Sequence, residues 1–207
     1  MWAPAKAVSF CLCHAARIGY HAPMTDALTW LLMDDDALLA ECDVHIYKAS
    51  GPGGQHRNKV SSAVRLRHRP SEVTAVANDS RSQHTNRRNA VRRLRVNIAC
   101  RCRTPRSLDP APSLPEAVAS CFFVPTKGPK LVPPVTRKLQ VGKKDVRYVP
   151  LAAMLLDWLD VAQGRLGTVT EMLGVTGGNV TKVLQAERHL FSAAQEIRKQ
   201  HGQKPFR

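Results

Sequence analysis

Three short stretches of the chain alternate apolar and polar residues, and each of them predicts a β-strand. They are residues 43–49, 63–68 and 72–77. The first two have the period of two that a half-buried strand requires, and the third repeats it imperfectly, with Val73 and Val76 three positions apart. A turn is predicted at 69–71, where a proline interrupts the pattern. The apolar positions are Val44, Ile46, Val64, Leu66, Val73 and Val76. This pattern favours a small antiparallel sheet, with a short helix or turn before it at 34–41.

A longer segment with helical periodicity follows these strands. Ser80 or Ser82 can cap a helix that runs to about Cys100. Residues at i, i+3 and i+7 form its core stripe, and these are Val91, Leu94 and Ile98. A neighbouring face of the same helix is basic and carries Arg88, Arg92 and Arg95. The prediction is an α+β domain in which one basic helix covers a small antiparallel sheet.

The last third of the chain has a helical pattern. A first helix has an apolar stripe made of Ala152, Leu155, Leu156 and Leu159, and Gly164 and Gly167 follow as stop signals. Segments 169–173 and 180–184, separated by a turn at 174–176, resemble a helix-turn-helix. A final helix carries Leu190, Phe191, Ala194 and Ile197 towards a basic end at 198–207. A nucleic-acid reader and a plain helical bundle both fit this pattern.

Prolines divide the chain into regions. Eight of them lie between residues 104 and 134, and this density is expected to prevent helix and sheet alike. We therefore predict an α+β domain at 26–104, a Pro-rich linker at 105–145 and a helical C-terminal module at 146–207. Residues 1–25 have no acid before Asp26 and are interpreted either as a leader or as the result of a misassigned start, with Met24 as the true one.

The charge points to a polyanionic partner. The 207 residues include 31 Lys or Arg and 16 Asp or Glu, which give a net charge of +15. Residues 48–106 alone carry 15 Lys or Arg but only two acids. Nucleic acid is the first candidate partner for such a surface. No apolar stretch is long enough to span a bilayer, so a membrane-embedded protein is excluded.

The six cysteines do not form a regular framework. No CxxC pair occurs, and a secreted disulfide scaffold is therefore disfavoured. The CxC pairs at 11/13 and 100/102 have a spacing that is atypical of structural zinc. We expect free thiols, no metal site and no cofactor.

A glycine-rich segment at 50–59 is the main candidate for chemistry. It lacks the glycine before Lys59 that a Walker A loop needs, and its GxGxxG pattern is incomplete. Gly53 and Gly54 permit unusual backbone conformations and leave a main-chain N–H free to stabilise an oxyanion. Gln55 does not titrate, but its amide can position a water molecule. A glycine-rich surface turn is the alternative.

The surrounding residues resemble a known family in order and spacing. The chain segments Ser50-Gly-Pro-Gly-Gly-Gln55, Asn58-Lys59, Val64-Arg-Leu66, His68-Arg-Pro70, Arg81-Ser-Gln83 and Asn86-Arg87 resemble the catalytic domain of class I peptide chain release factors. The resemblance covers roughly residues 35–100 and implies that the 26–104 domain is the catalytic one. It implies that Gly53, Gly54 and Gln55 are the catalytic tripeptide, which promotes attack of water on the peptidyl-tRNA ester. In the family this glutamine is commonly N-methylated.

The same resemblance implies a set of contacts to rRNA or tRNA. They are Arg57, Asn58, Lys59, Arg65, Arg67, Arg81, Gln83, Asn86, Arg87, Arg88 and Arg92. One departure is the turn after Pro70, where the family usually has Thr-Gly and this chain has Ser71-Glu72. The departure raises a question about the geometry of that turn.

The chain is most similar in organisation to the short, codon-independent homologues that rescue stalled ribosomes. The expected partners are large-subunit rRNA and peptidyl-tRNA, together with the mRNA channel if the sparse basic C-terminus enters it. We expect a monomer that does not contact a membrane. A bacterial-type cytoplasmic location is expected, or the mitochondrial matrix if residues 1–23 are a presequence. The alternative is a non-catalytic RNA- or ribosome-binding protein with a helix-turn-helix-like targeting module.

Overall fold

The computed structural model describes residues 26–48, 61–109, 112–125 and 136–206. The strands are β1 (Cys42–Tyr47), β2 (Ala63–His68), β3 (Thr74–Ala77), β4 (Phe122–Phe123) and β5 (Lys138–Leu139). The helices are α1 (Ala27–Leu32), α2 (Asp35–Ala40), α3 (Gln83–Arg101), α4 (Glu116–Ala119), α5 (Tyr148–Val161), α6 (Leu166–Leu173), α7 (Gly177–Gln185) and α8 (Arg188–Gln200). The predicted α+β class with a small antiparallel sheet is confirmed.

The main sheet has the order β1-β2-β3, and both pairs of strands are antiparallel. β2 occupies the predicted residues, and its Val64 and Leu66 are buried, whereas the arginines between and after them are exposed. On β3 the buried positions are Ala75 and Ala77, and Val76 is only half-buried. The imperfect alternation in this stretch therefore reflects alanines that serve as the core-facing residues.

The edge strand β1 differs from its prediction in burial. Val44 and Ile46 pair with Leu66 and Val64 on the same face of the sheet, but they are 38% and 49% exposed. The reason is that α3 packs on β2 and β3 and does not extend over β1. Alternation identifies a face of a strand, but it does not tell whether another element covers that face.

The basic helix α3 begins where the sequence predicts. The Ser82 side chain accepts a hydrogen bond from the Thr85 N–H at 3.3 Å, which makes Ser82 the N-cap. The predicted core stripe of Val91, Leu94 and Ile98 is buried. Arg95, in contrast, does not lie on a free basic face. It donates to the backbone carbonyls of Leu31 at 2.8 Å and Met33 at 2.7 Å, at the C-terminal end of α1.

The imidazole of His68 is buried at the C-terminal end of β2. His68 at the end of β2 contacts the Ser71 hydroxyl at 2.7 Å and the Glu41 carboxylate at 3.0 Å. Its ring also meets Trp30 edge-on, with 4.8 Å between the ring centroids. Burial lowers the pKa of His68, although Glu41 opposes this effect, so the ring is neutral at pH 7. The imidazole thus joins α1, β2 and the turn that follows β2.

The helices of the C-terminal part pack against this domain. α5 is almost entirely buried and contacts α1, α3 and α8, so its predicted apolar stripe belongs to the same hydrophobic cluster as the sheet. Gly164 has φ +72° and lies just after α5, as a stop signal should. Gly167 does not stop a helix but lies in the first turn of α6. None of the helices in the described ranges combines the length and the apolar composition that crossing a membrane requires.

The Pro-rich region contains regular structure, which corrects the expectation that prolines prevent helix and sheet throughout it. Pro115 lies at the start of α4, where a proline costs no backbone hydrogen bond. β4 and β5 pair antiparallel, with Phe122 opposite Leu139. Residues 110–111 and 126–135 lie outside the described ranges. The division of the chain into domain, linker and module remains a prediction.

A buried ion network connects α5 to the segment after α3. The Asp157 carboxylate accepts from Arg103 and Arg106, each at 2.9 Å, and from the backbone N–H of Thr104 at 3.2 Å. Arg106 also reaches Asp26, the N-cap of α1, at 3.0 Å. Burial raises the pKa of Asp157 to about 6 against the opposing effect of the two guanidinium groups, so the carboxylate is ionised at neutral pH.

Candidate functional site

The sheet brings together the two ends of the glycine-rich segment. Tyr47, the last residue of β1, pairs with Ala63, the first residue of β2. The chain therefore leaves the sheet and re-enters it at one end. The predicted catalytic residues Gly53, Gly54 and Gln55 and the predicted RNA contacts Arg57, Asn58 and Lys59 lie outside the described residues.

Asn86 anchors the start of α3 at this end of the sheet. Its amide donates to the carbonyls of Ser62 and Ser80, both at 2.7 Å, and its Oδ1 accepts from the Ser80 N–H at 2.9 Å. The side chain is fully buried, so every contact it makes is internal. This geometry does not fit the predicted RNA contact. Asn86 is instead a positioning residue that holds α3 against the point where the chain re-enters the sheet.

Four of the predicted RNA contacts lie around the first turns of α3, close to this anchor. All four side chains are exposed, and the arginines among them form no ion pair with a described residue. The four are Arg81, Gln83, Arg87 and Arg88. Arg92, about one turn further on, is exposed and unpaired in the same sense. Such side chains are available to phosphate oxygens without first breaking an internal contact.

Arg65 and Arg67 lie on the outer face of β2 but differ in their surroundings. Arg65 is exposed and lies over the Tyr47 ring, 5.5 Å from its centroid. Arg67 donates through Nε to Glu72 at 2.9 Å and also lies 3.8 Å from Asp43. The charge of Arg67 is therefore compensated inside the domain, whereas that of Arg65 is not.

The turn after Pro70 shows how the chain tolerates its departure from the family pattern. Glu72 occupies the position where the family usually has glycine, and its φ is +57°, in the left-handed region. Glycine adopts this conformation without cost, whereas a residue with a Cβ does not. The side chain of Glu72 compensates in part, because it forms the ion pair with Arg67.

Sequence reasoning missed how the cations divide into paired and unpaired ones. The two acids within 48–106 are both engaged, since Glu72 pairs with Arg67 and Asp79 with Arg93 at 2.7 Å. Arg93 also donates to the Val76 carbonyl at 2.6 Å. The sequence contained one signal for this division, which was the rarity of acids in this region. Few acids can pair with few cations, and each of the two acids has an arginine of the domain as its partner.

The thiols within the described ranges are not activated. Burial raises the pKa of Cys42 and of Cys100 to about 11, so both are protonated at neutral pH. Among the described residues, no group of three or more His, Cys, Asp or Glu side chains is placed to hold a metal ion. What this part of the molecule does offer is a set of exposed guanidinium groups around the ends of segment 49–60.

Comparisons with known proteins agree with these features. Residues 37–109 match the RF-1 domain. Peptide chain release factor 2 of Haemophilus influenzae is 37% identical over 82 residues, which cover 38% of this chain and 22% of that protein. Its counterpart in Yersinia pestis is 35% identical over 82 residues, with the same coverage of 38% and 22%. The Acidithiobacillus ferrooxidans protein is 50% identical over 59 residues, which cover 28% of this chain and 16% of the relative.

The sheet and its basic helix α3 therefore lie within the part of the chain that is similar to an RF-1 domain. Over 82 residues the chain is also similar to release factor 2 proteins. The similarity spans no more than 22% of the length of these relatives. What the full-length relatives do is consequently a matter of proposal for this chain.

Proposed function

We propose that this protein hydrolyses the ester between peptide and tRNA on the ribosome. The observation that carries the proposal is the Gly53-Gly54-Gln55 tripeptide within an RF-1 domain, between two strands that pair at Tyr47 and Ala63. Further support comes from exposed arginines at the same end of the domain. The nearby buried amide of Asn86 holds that end together.

In the proposed reaction a water molecule attacks the carbonyl carbon of the ester. The bond from this carbon to the 3′ oxygen of the tRNA breaks, the peptide leaves as a carboxylic acid, and the tRNA oxygen takes up a proton. The main-chain N–H at Gln55 stabilises the negative charge that develops on the carbonyl oxygen. The Gln55 amide is neutral at every physiological pH and confines the attacking water rather than removing its proton.

The arginines have a different role in this proposal. Arg65, Arg81, Arg87, Arg88 and Arg92 bind phosphate oxygens of rRNA or tRNA and so bring the tripeptide to the reaction centre. These contacts do not read a sequence, and they release counterions on binding. The affinity for the large ribosomal subunit should therefore fall steeply as salt concentration rises.

We further propose that release does not depend on a stop codon and serves to rescue stalled ribosomes. The similarity to release factor 2 covers 38% of this chain and 22% of that protein. The helices α5 to α8 follow the segment that matches the RF-1 domain and pack on it. In this proposal those helices, rather than a codon-reading element, determine when the factor acts.

The test is the release of labelled peptide from ribosomes that carry peptidyl-tRNA and have an empty A site. We expect Gln55→Ala to slow release on the order of 100-fold or more, because the attacking water loses the amide that confines it, while binding to the ribosome is retained. The matched control is Gln200→Ala, which removes an exposed glutamine at the end of α8 and should leave release unchanged. Release by Gln55→Ala at the wild-type rate would overturn the proposal, as would binding by the wild-type protein without any release.

Codon dependence is tested in the same assay with mRNAs of different lengths beyond the P site. Release at equal rates with a stop codon, a sense codon or no codon is the expected result. A strict requirement for a stop codon would contradict the rescue role and leave the hydrolytic role standing.

A further inference from the structure

The C-terminal part contains two helices held in a fixed arrangement by a three-residue turn. α6 and α7 are joined by Gly174, Val175 and Thr176, and Gly174 has φ +64°, which a glycine adopts readily. Thr176 caps α7 by accepting a hydrogen bond from the Asn179 N–H at 3.2 Å. The side chains between the two helices are buried, and they are Val169, Leu173, Val175, Val180 and Val183.

The segment at 136–139 lies along one flank of α7. The backbone N–H groups of Thr136 and Arg137 donate to the Gly174 carbonyl at 3.0 and 2.8 Å. Further along, Asn179 accepts from the Leu139 N–H at 2.6 Å and donates to the Leu139 carbonyl at 3.1 Å. This two-way amide contact fixes β5 against α7.

Three cations are exposed along this flank. Arg137 and Lys138 precede the buried Leu139 in the fixed segment, and Lys182 lies three residues after Asn179, on the same side of α7. None of the three pairs with an acid among the described residues, whereas the nearby Lys143 is neutralised by Glu187 at 2.9 Å. Glu171 is the one acid on α6 and α7. We call Arg137, Lys138 and Lys182 the α7 flank.

The same helix is poorly equipped to read bases. Gly177 and Gly178 at its start carry no side chain, and the amide of Asn179 is occupied by β5. A helix also does not enter the narrow major groove of duplex RNA, which proteins recognise mainly through its backbone and shape. The groups that remain on this surface are cations suited to phosphate oxygens, without sequence preference.

We propose that the α7 flank is a second RNA-binding surface, through which Arg137, Lys138 and Lys182 contact the phosphate backbone of ribosomal RNA. The identity of the RNA rests on the proposed function, which makes the ribosome the partner. The proposal gives the helical part a binding role of its own, separate from the glycine-rich segment and from the arginines of α3.

The experiment compares the full-length protein with the triple variant Arg137→Gln, Lys138→Gln, Lys182→Gln. Binding to the large ribosomal subunit is measured over a series of KCl concentrations. Each lost phosphate contact should lower the salt slope by about one, so the triple variant should lose about two to three and bind roughly tenfold more weakly. Its rate of peptide release at saturating protein should equal that of the wild type, because no residue of the flank belongs to the tripeptide.

The matched control removes three other exposed cations, Arg101, Arg165 and Arg188, which likewise form no ion pair among the described residues. Thermal melting of both variants shows that they are folded. Equal losses of affinity in control and flank variants, or no loss in the flank variant, would overturn the proposal, because the effect would then not be specific to this surface.

A second arm separates the kinds of nucleic acid. An rRNA hairpin and a DNA duplex of equal length are titrated with the wild-type protein and the flank variant. Tighter binding of the hairpin, weakened in the variant, supports an RNA surface, whereas equal or tighter binding of the DNA overturns it. A wild-type protein that binds the ribosomal subunit through the flank but releases no peptide would contradict the proposed catalysis alone.

Discussion

The arginines in the first turns of α3 and those from Arg93 onwards have different surroundings. Arg87, Arg88 and Arg92 are exposed and form no ion pair within the described residues. Four of the five arginines from 93 to 106 have carboxylate partners, and these are Arg93, Arg95, Arg103 and Arg106. A run of positive charge that looks uniform in sequence is thus divided into exposed arginines without an ion pair in the described residues and arginines whose ion pairs hold parts of the molecule together.

The unpaired and the paired arginines also lie in different parts of the molecule. The unpaired arginines lie near Asn86, at the end of the sheet where Tyr47 pairs with Ala63. The paired ones reach α1, the turn before α3, and α5. The number of Lys and Arg residues alone therefore overestimates the cations available to a polyanion, because several of them are already paired with carboxylates of the same chain.

The largest effect is expected where the paired group is most deeply buried. Asp157→Ala removes the carboxylate between Arg103 and Arg106, which leaves the buried Arg103 without a carboxylate partner and Arg106 with Asp26 alone. Breaking a buried pair in this way should lower the free energy of unfolding by about 3 to 5 kcal/mol. Urea denaturation measures this loss.

The control for that prediction lies on the same helix. Asp160 contacts His201 at 3.3 Å but is partly exposed, and Asp160→Ala should cost less than about 1 kcal/mol. If both variants unfolded at the same urea concentration, the paired arginines would not have the structural role described.

A smaller effect, of another kind, is expected for the unpaired group. The triple variant Arg87→Gln, Arg88→Gln, Arg92→Gln should melt at the wild-type temperature, because these side chains form no hydrogen bond or ion pair with the part of the chain that the structure describes. Its affinity for the large ribosomal subunit should have a salt slope lower by about two to three.

The contrasting variant on the same helix is Arg93→Gln, which removes a cation that is paired with Asp79 in the turn before α3. It should bind the subunit nearly as the wild type does. A greater loss of affinity from this single change than from the triple one would reverse the division of the helix into paired and unpaired cations.

The smallest effect concerns Glu72, whose carboxylate neutralises Arg67 while its backbone has a positive φ. Glu72→Gly and Glu72→Ala both remove the ion pair, but only the glycine relieves the left-handed backbone. The glycine variant should therefore be more stable than the alanine variant by about 0.5 to 1 kcal/mol in chemical denaturation. Equal stabilities would show that this backbone conformation is not strained.

Local features of the fold were predictable because local interactions determine them. β2 alternates cleanly over 63–68, Ser82 caps α3, and Gly174 supplies the positive φ between α6 and α7. Contacts between distant parts of the chain were not predictable. The exposure of Val44 depends on where α3 ends its coverage of the sheet, and Arg103 meets Asp157 across 54 residues of sequence.

The candidate site shows the same limit. Its tripeptide and most of its arginines follow from the order of motifs along the chain. Asn86 shares that motif, but its side chain faces Ser62 and Ser80, and no periodicity reveals that a polar residue of a helix faces inwards. Arg67 similarly alternates as an outward residue should, and only the folded turn brings Glu72 to it.

The shared core of the sheet and the C-terminal helices bears on how this RF-1 domain can be handled in the laboratory. α3 contacts β2 and β3 and also α1, α5 and α8, and the residues buried among them form one hydrophobic cluster. A fragment truncated after residue 109 would expose the α5-facing side of α3 to water and separate Arg103 from Asp157. The segment that matches the RF-1 domain is consequently not expected to fold alone, and grafting it onto another protein would require the C-terminal helices as well.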